Sequence, residues 1–312
     1  MKTIIPVVLS SDDKYAKYLG ITLVSVLSNA QSDTFYDIYI LMAPDFSERS
    51  KELILKDAEK YPNNKINFVD MKNAFSSFDV KRQHLTIPTF YRLTAAEILP
   101  EQYTKCIYFD TDVAVNIDLK EIFNEDIGKN IIGGVKDAGT LYDIRFKIQK
   151  LFNKNWDIPN YKNYVNAGVL ILNLDAIRKN KLTSVFVEEA QKNFIFADQD
   201  VINKVSFGKV KNFPLQYNVM TYIKWKTAWP FYLRQFNKNE MKQAIKNPKI
   251  IHYGAQYTPW LRPKTSFGEY WWKYAITSSF TSDILKANCK TDHKKKIYLK
   301  KVQRILQKNK VI

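Results

Sequence analysis

Short apolar runs alternate with segments of helical period through the first 70 residues, and this alternation restricts the fold more than any other feature of the chain. Residues 4–9 form one apolar run. After the polar turn Ser10-Ser11-Asp12-Asp13, the residues Tyr15, Leu19, Leu23, Val26 and Leu27 recur at helical spacing and give one apolar face. Residues 37–42 predict a second strand, 47–61 a helix with Ser47 as its N-cap, and 66–69 a third strand. Strand, helix, strand, helix, strand is the order of βαβ units, which lay parallel strands in a sheet covered by helices. The pattern continues with a helix at 89–99 stopped by Pro100, strands at 106–109 and 168–173, helices at 182–193 and 198–207, and a short strand at 249–253. Residues 212–238 are rich in aromatics without a clear period and read as loops near a site.

A chain of 312 residues can bury a full core without disulfide staples. Cys106 and Cys289 are too few for a disulfide framework or a cysteine-rich zinc site, so a reducing cytoplasm is the expected compartment. The opening run contains Pro6 and is too short for a signal-peptide core, and no segment is long and apolar enough for a membrane span. The formal net charge of +17 is uneven: residues 290–312 carry nine Lys or Arg against Asp292, which is +8 in the tail and +9 elsewhere. A boundary is placed near residue 265, giving a main domain over 1–265 and an aromatic and basic region over 266–312.

The nine glycines form neither a G-x-G-x-x-G fingerprint nor a phosphate loop, which disfavours a nicotinamide dehydrogenase and a P-loop ATPase. What the chain does have is Tyr108-Phe109-Asp110-Thr111-Asp112, an apolar strand running into two carboxylates one residue apart. In an open α/β sheet ligands bind beyond the carboxyl ends of the strands. Two acids placed there repel each other, and a divalent cation bound through oxygen is their natural counter-ion. A solvated acidic loop is the plainer alternative for a bare D-x-D.

The surrounding blocks extend that motif. Val7-Val8-Leu9-Ser10-Ser11-Asp12-Asp13-Lys14-Tyr15, Thr89-Phe90-Tyr91-Arg92-Leu93, the acid pair, Asn166-Ala167-Gly168-Val169, Ala197-Asp198-Gln199-Asp200-Val201 and His252-Tyr253-Gly254 before Pro259-Trp260 follow in order over roughly 250 residues. In these blocks the chain resembles glycosyltransferase family 8, which contains bacterial lipopolysaccharide galactosyl- and glucosyltransferases and glycogenin. The resemblance implies a GT-A nucleotide-sugar fold, a mixed and mainly parallel sheet flanked by helices. It also implies UDP-galactose or UDP-glucose as donor, Mn²⁺ or Mg²⁺ as cofactor, and transfer with retention.

Residue roles are implied in the same way. Ser10, Asp12 and Tyr15 would hold the uracil and ribose, although Asp12 or Asp13 could equally cap the following helix. Asp110 and Asp112, with Thr111 between them, and His252 would bind the metal. Asn166, Ala167, Gly168 and Gly254 would line the donor. Arg92 would reach the sugar or orient the acids, Asp198 would hold hexose hydroxyls, and Gln199 would lie near the anomeric carbon. An amide is a poor nucleophile, which favours front-face attack over a covalent intermediate; Asp200 is chemically better suited but displaced. The family usually has a lysine just before the final Pro-Trp, where this chain has Thr258; Lys224, Arg262 and Lys264 are the candidates to compensate.

Tyr222, Trp225, Trp229, Phe231 and Tyr232 offer stacking faces to an acceptor sugar or are core residues. In the tail, Tyr298, Val302 and Ile305 share one helical face and Lys301, Arg304 and Lys308 another, the pattern of a basic amphipathic helix. A membrane-surface helix fits that pattern better than nucleic-acid contact, so the expected partners are a UDP-sugar, a glycan or glycolipid acceptor and the anionic inner membrane surface. Glycogenin-like self-glucosylation and a non-catalytic module for anionic polymers are the competing readings.

Overall fold

The computed structural model describes residues 2–78, 86–139, 163–192, 194, 196–254, 258–288 and 292–309. Among these, ten strands form two sheets: β1 Thr3–Ser11, β2 Thr34–Met42, β3 Asn64–Asp70, β4 Lys105–Phe109, β5 Val113–Val115, β6 Ile132–Lys136, β7 Val165–Asn173, β8 Val210–Asn212, β9 Val219–Met220 and β10 Ile250–His252. The main sheet has seven strands in the order β3-β2-β1-β4-β7-β6-β8, and only β7 runs against its neighbours. This is the mixed, mainly parallel sheet expected from the sequence. The small sheet has the order β5-β10-β9.

Helices cover the main sheet on both sides, so its central strands are apolar on both faces. Val7 and Leu9 enter one core with the Asp13–Ser28 helix, while Val8, between them, enters the other with Leu41, Tyr108 and Leu170. That is the alternation a two-sided strand requires. The Asp13–Ser28 helix starts where expected because the Asp12 carboxylate accepts the Tyr15 N–H at 3.0 Å. Asp13 acts elsewhere, accepting from the backbone and hydroxyl of Ser47 and the hydroxyl of Ser50 at the start of the Glu48–Ala58 helix.

One predicted helix differs. Residues 89–99 do not form a single α-helix: Ile87–Thr94 winds as a 3₁₀ helix with Pro88 at its start, and only Ala95–Ile98 is α. The tighter winding eclipses positions three apart. Thr89 and Arg92 therefore share one side, facing the ends of β4 and β7.

Beyond residue 265 the chain packs into the same core as the first strands. In the Gly268–Ala275 helix Trp271 and Trp272 are fully buried, and Phe280, Ile284, Val302 and Leu306 join the cluster that holds Val7 and Leu9. The Asp292–Lys308 helix is amphipathic, but its apolar stripe faces the protein: Tyr298 donates its hydroxyl to the Trp260 carbonyl and meets Trp272 edge-on at 5.5 Å. The stripe assigned from sequence to a membrane surface is thus covered by the body of the protein. Lys300, Lys301, Arg304 and Lys308 remain exposed. No helix of the described residues is long and apolar enough to cross a membrane.

The segment read as loops at 212–238 contains short turns, including Thr221–Lys224 and Lys226–Ala228, and the Trp229–Tyr232 helical turn. Tyr232 is buried in the core; Tyr222, Trp225, Trp229 and Phe231 are half-buried.

Candidate active site

Backbone pairing assembles the acid pair and the histidine. β5 and β10 are antiparallel with Val113 opposite His252, and the Tyr253 N–H donates to the Asp112 carbonyl at 2.9 Å. On the other side the Asp110 N–H donates to the Gly168 carbonyl at 2.9 Å, which continues the β4–β7 ladder past its last pair. The turn between is fixed by the Thr22 hydroxyl, which lies 2.9 Å from the Thr111 carbonyl and 2.8 Å from that of Val113. One ligand atom each of Asp110, Asp112 and His252 can be chosen so that all three lie within 4.8 Å of one another.

The hydrogen bonds determine which atoms face the common centre. Asp110 Oδ1 accepts from Arg92 Nη2 at 2.7 Å and from the Tyr108 hydroxyl at 3.1 Å, and Ser10 in turn donates to Tyr108 at 2.9 Å. Oδ2 is left toward His252 Nε2, 3.7 Å away, and Asp112 Oδ1 is 3.2 Å from the same nitrogen. Asn166 Oδ1 accepts from the Gly168 N–H at 3.0 Å and from Asn218 Nδ2 at 2.9 Å, which orients its amide. His252 Nδ1, 3.1 Å from that acceptor, therefore carries a proton and donates it, leaving Nε2 toward the carboxylates. Burial disfavours a charged imidazole, but Asp112 and Asp110 outweigh it and raise the His252 pKa.

Gly168 makes this packing possible. A Cβ there would lie 2.2 Å from His252 Cε1 and 2.8 Å from Asp110 Oδ2. Gly254 stands at the other side, where a Cβ would come 2.9 Å from Met220 Cε and 3.4 Å from His252 Nε2. Two carboxylate oxygens and an imidazole nitrogen so arranged are a fitting donor set for a divalent ion of the Mn²⁺ type.

A second group of side chains adjoins this centre. Arg92 is buried, stacks 4.1 Å from the Tyr108 ring centroid and donates to the Ala167 and Thr89 carbonyls as well as to Asp110. Burial opposes its charge, yet Asp110 and Asp198 hold it protonated. Asp198 Oδ1 accepts from the Thr89 hydroxyl at 2.7 Å. Its Oδ2 lies 3.0 Å from Arg92 Nε, but that N–H is aimed at the Thr89 carbonyl, so among the described residues Oδ2 has an ionic neighbour and no hydrogen bond. Burial pushes the Asp198 carboxyl up to about 6, with Arg92 and Thr89 pulling the other way. The residue before it, Ala197, has φ of +46°, a left-handed conformation that costs roughly 1 kcal/mol for a non-glycine residue and is typical of functional turns.

Gln199 is pinned at both ends of its amide. Oε1 accepts from the Ala167 N–H at 3.0 Å and Asn166 Nδ2 at 3.2 Å, and Nε2 donates to Asp137 at 2.9 Å and to the Tyr164 hydroxyl at 3.2 Å. Asp200 is wholly buried, with its oxygens on the Tyr164 hydroxyl and the Phe196 N–H, and thus supports the helix that carries Asp198 and Gln199.

Asp137 and Asn218 belong to the site and were not found from sequence. Asp137 directly follows β6 and is buried, accepting from the Gly139 N–H and Gln199. A signal existed, because an acid after the apolar run 131–135 repeats the syntax of Asp110. Asn218 carries no comparable signal. Tyr15 is half-buried and stands edge-on to Tyr18 at 5.8 Å, which stacks on Trp260 at 4.2 Å. Thr258 is buried and its hydroxyl has no hydrogen-bond partner among the described residues.

The chain is similar to known proteins in both sequence and structure. General stress protein A of Bacillus subtilis is 25% identical over 266 residues, covering 82% of this chain and 87% of that protein. A lipopolysaccharide 1,2-glucosyltransferase of Escherichia coli is 23% identical over 262 residues, covering 80% of this chain and 71% of that protein. Among solved structures, the bifunctional glycosyltransferase WbbM is similar with a TM-score of 0.78 and 26% identity over 92% of this chain, which spans 52% of WbbM. The galactosyltransferase LgtC, solved with donor and acceptor sugar analogues, has a TM-score of 0.67 and 25% identity, over 88% of this chain and 96% of its own. These neighbours share the GT-A fold. The sequence model of glycosyl transferase family 8 matches residues 6–264, from β1 to beyond β10, and the chain belongs to that family.

Proposed function

We propose that the chain transfers a hexose from UDP-galactose or UDP-glucose to a surface-glycan or lipopolysaccharide-type acceptor, with retention at the anomeric carbon and dependence on Mn²⁺. The observation that carries this reading is the convergence of Asp110, Asp112 and His252 Nε2 on one point beyond the strand ends. Asp110, Asp112 and His252 would hold the ion. Bound there, a divalent cation neutralises the donor diphosphate and stabilises UDP as a leaving group.

The chain's own groups orient the sugar. Asp198 Oδ2, buried and short of a hydrogen bond, accepts from hexose hydroxyls, while Arg92 holds Asp198 and Asp110 in fixed relation. Gln199, locked by four hydrogen bonds, presents an amide and no nucleophile near the anomeric carbon; Asp200 has its oxygens engaged elsewhere. This favours front-face attack by the acceptor hydroxyl, whose proton passes to the departing phosphate. Asp12 and Tyr15 take the uracil end, and Ser10, Thr111, Ala167 and Gly254 complete the donor wall. The exposed face of the Asp292–Lys308 helix supports peripheral attachment to an anionic cytoplasmic membrane surface by charge alone, since its apolar face is packed.

The test is a panel of UDP-sugars with and without Mn²⁺, scored as slow UDP release in the absence of acceptor. Release from a UDP-hexose with Mn²⁺, and none after chelation, is expected. No release from any donor would overturn the reading.

A further inference from the structure

A cleft of about 500 Å³, lined by Trp225, Arg262, Lys264, Thr265 and Ser266, is left without a role by the transfer described so far. The small sheet sets its place. β9 and β10 are parallel with Met220 opposite His252, and the chain leaves β9 directly through the Thr221–Lys224 turn to Trp225. Trp225 thus follows the same end of the sheet that presents His252. The facing wall is a turn closed on Thr258, whose carbonyl accepts the Arg262 N–H at 2.9 Å, and Thr265 N–H returns to the Arg262 carbonyl at 2.9 Å. Arg262 and Lys264 are therefore exposed cations on a hydrogen-bonded turn rather than on an open loop. A third cation is close in the chain: the Lys224 ammonium lies 3.7 Å from the centroid of Phe267, the residue after Ser266. Lys224 is itself exposed.

We propose that this cleft binds the acceptor through an anionic sugar unit away from the reacting hydroxyl, with the sugar ring on Trp225 and its phosphate or carboxylate met by Arg262, Lys264 and Lys224. The proposal rests on the hexosyl transfer set out above. An aromatic face suits the apolar side of a pyranose, a guanidinium suits an oxyanion in bidentate geometry, and the volume suits one or two sugar units.

Binding can be measured without turnover, by calorimetry on the full chain with Mn²⁺ and UDP present. The probes are methyl glucoside, methyl glucoside 6-phosphate and methyl glucuronide; the last two separate phosphate from carboxylate. At least one anionic probe should bind about tenfold more tightly than the neutral one and lose that advantage in high salt. Lys264→Gln and Arg262→Gln should each weaken it by about tenfold, the loss of one charge-assisted hydrogen bond, while UDP affinity stays within about twofold. Trp225→Ala should weaken neutral and anionic probes alike. Equal binding of all three probes by the native chain would overturn the proposal. So would a drop in UDP affinity in Lys264→Gln or Arg262→Gln, which would assign these cations to the donor diphosphate. Donor hydrolysis by the native chain reports separately on the transfer reading.

Discussion

Gly168→Ala isolates the packing that aims His252. Gly168 is not in the left-handed region, so its backbone accepts alanine and the effect is steric. The new Cβ would sit 2.2 Å from His252 Cε1 and 2.7 Å from Nδ1, whereas carbon atoms in contact stand about 3.5–4.0 Å apart. Something must move by more than about 1 Å. β7 is paired along both edges and bonded to Asp110, so the ring is the more mobile partner. Its displacement breaks the 3.1 Å contact to Asn166 and turns Nε2 off the common centre. Overpacking of this kind costs about 1–3 kcal/mol of stability, and losing a ligand's orienting hydrogen bond costs about 10–100-fold in metal affinity. Calorimetric titration of Mn²⁺ in the presence of UDP, with a thermal melt on the same samples, measures both. Native Mn²⁺ affinity in a Gly168→Ala chain that melts normally would refute the reasoning.

Four further outcomes follow from the structure. Asp198 has a folded pKa of about 6, above its ordinary 3.8, so its ionised form costs stability above about pH 6 and that cost fades as the pH falls toward 3.8. The difference corresponds to roughly 3 kcal/mol at pH 8; Asp198→Asn should abolish transfer yet melt higher than the native chain at pH 8, with the gap closing by pH 4, and a lower melt at pH 8 would mean that the Arg92 pairing outweighs burial. Asp137→Ala removes the acceptor of Gln199 Nε2 and should lower kcat by about 10–100-fold while Mn²⁺ affinity is retained, since Asp137 lies outside the ligand trio; an unchanged kcat would exclude it from positioning Gln199. In the tail, Leu306→Asp places a charge where the side chain is fully buried and should cost about 3 kcal/mol or more by denaturant titration. Lys301→Glu with Arg304→Glu should leave stability intact and abolish salt-sensitive sedimentation with anionic vesicles; sedimentation equal to that of the native chain would end the membrane reading.

Much of this architecture was legible because its signals are local. The apolar run of β1, the helix it feeds and the acid pair after β4 lie in consecutive residues, and periodicity reports them directly. β5 and β9 have three and two residues, too few for any alternation to register, although their pairing with β10 is what brings His252 to Asp112. Asp137 escaped notice for a related reason: β6 includes Gly133 and Gly134, and the strand that presents it did not read as one. The roles of Asp12 and Asn166 are joint. Asp12 caps a helix, one of the two readings its sequence position offered, and Asn166 orients His252, where sequence suggested only a donor contact. The tail shows the limit of pattern most clearly, because an amphipathic helix looks the same whether its apolar face meets lipid or Trp272.

The central claim is that Asp110, Asp112 and His252 Nε2 form one metal-binding centre. Electron spin echo spectroscopy of the Mn²⁺–UDP complex tests it directly, because a coordinated imidazole imposes a ¹⁴N modulation that oxygen ligands do not. The native chain should show that modulation, His252→Gln should bind Mn²⁺ more weakly without it, and Asp110→Asn with Asp112→Asn should lose Mn²⁺ binding while remaining folded. Mn²⁺ bound without a nitrogen ligand in the native chain, or held as tightly by the double asparagine variant, would contradict it.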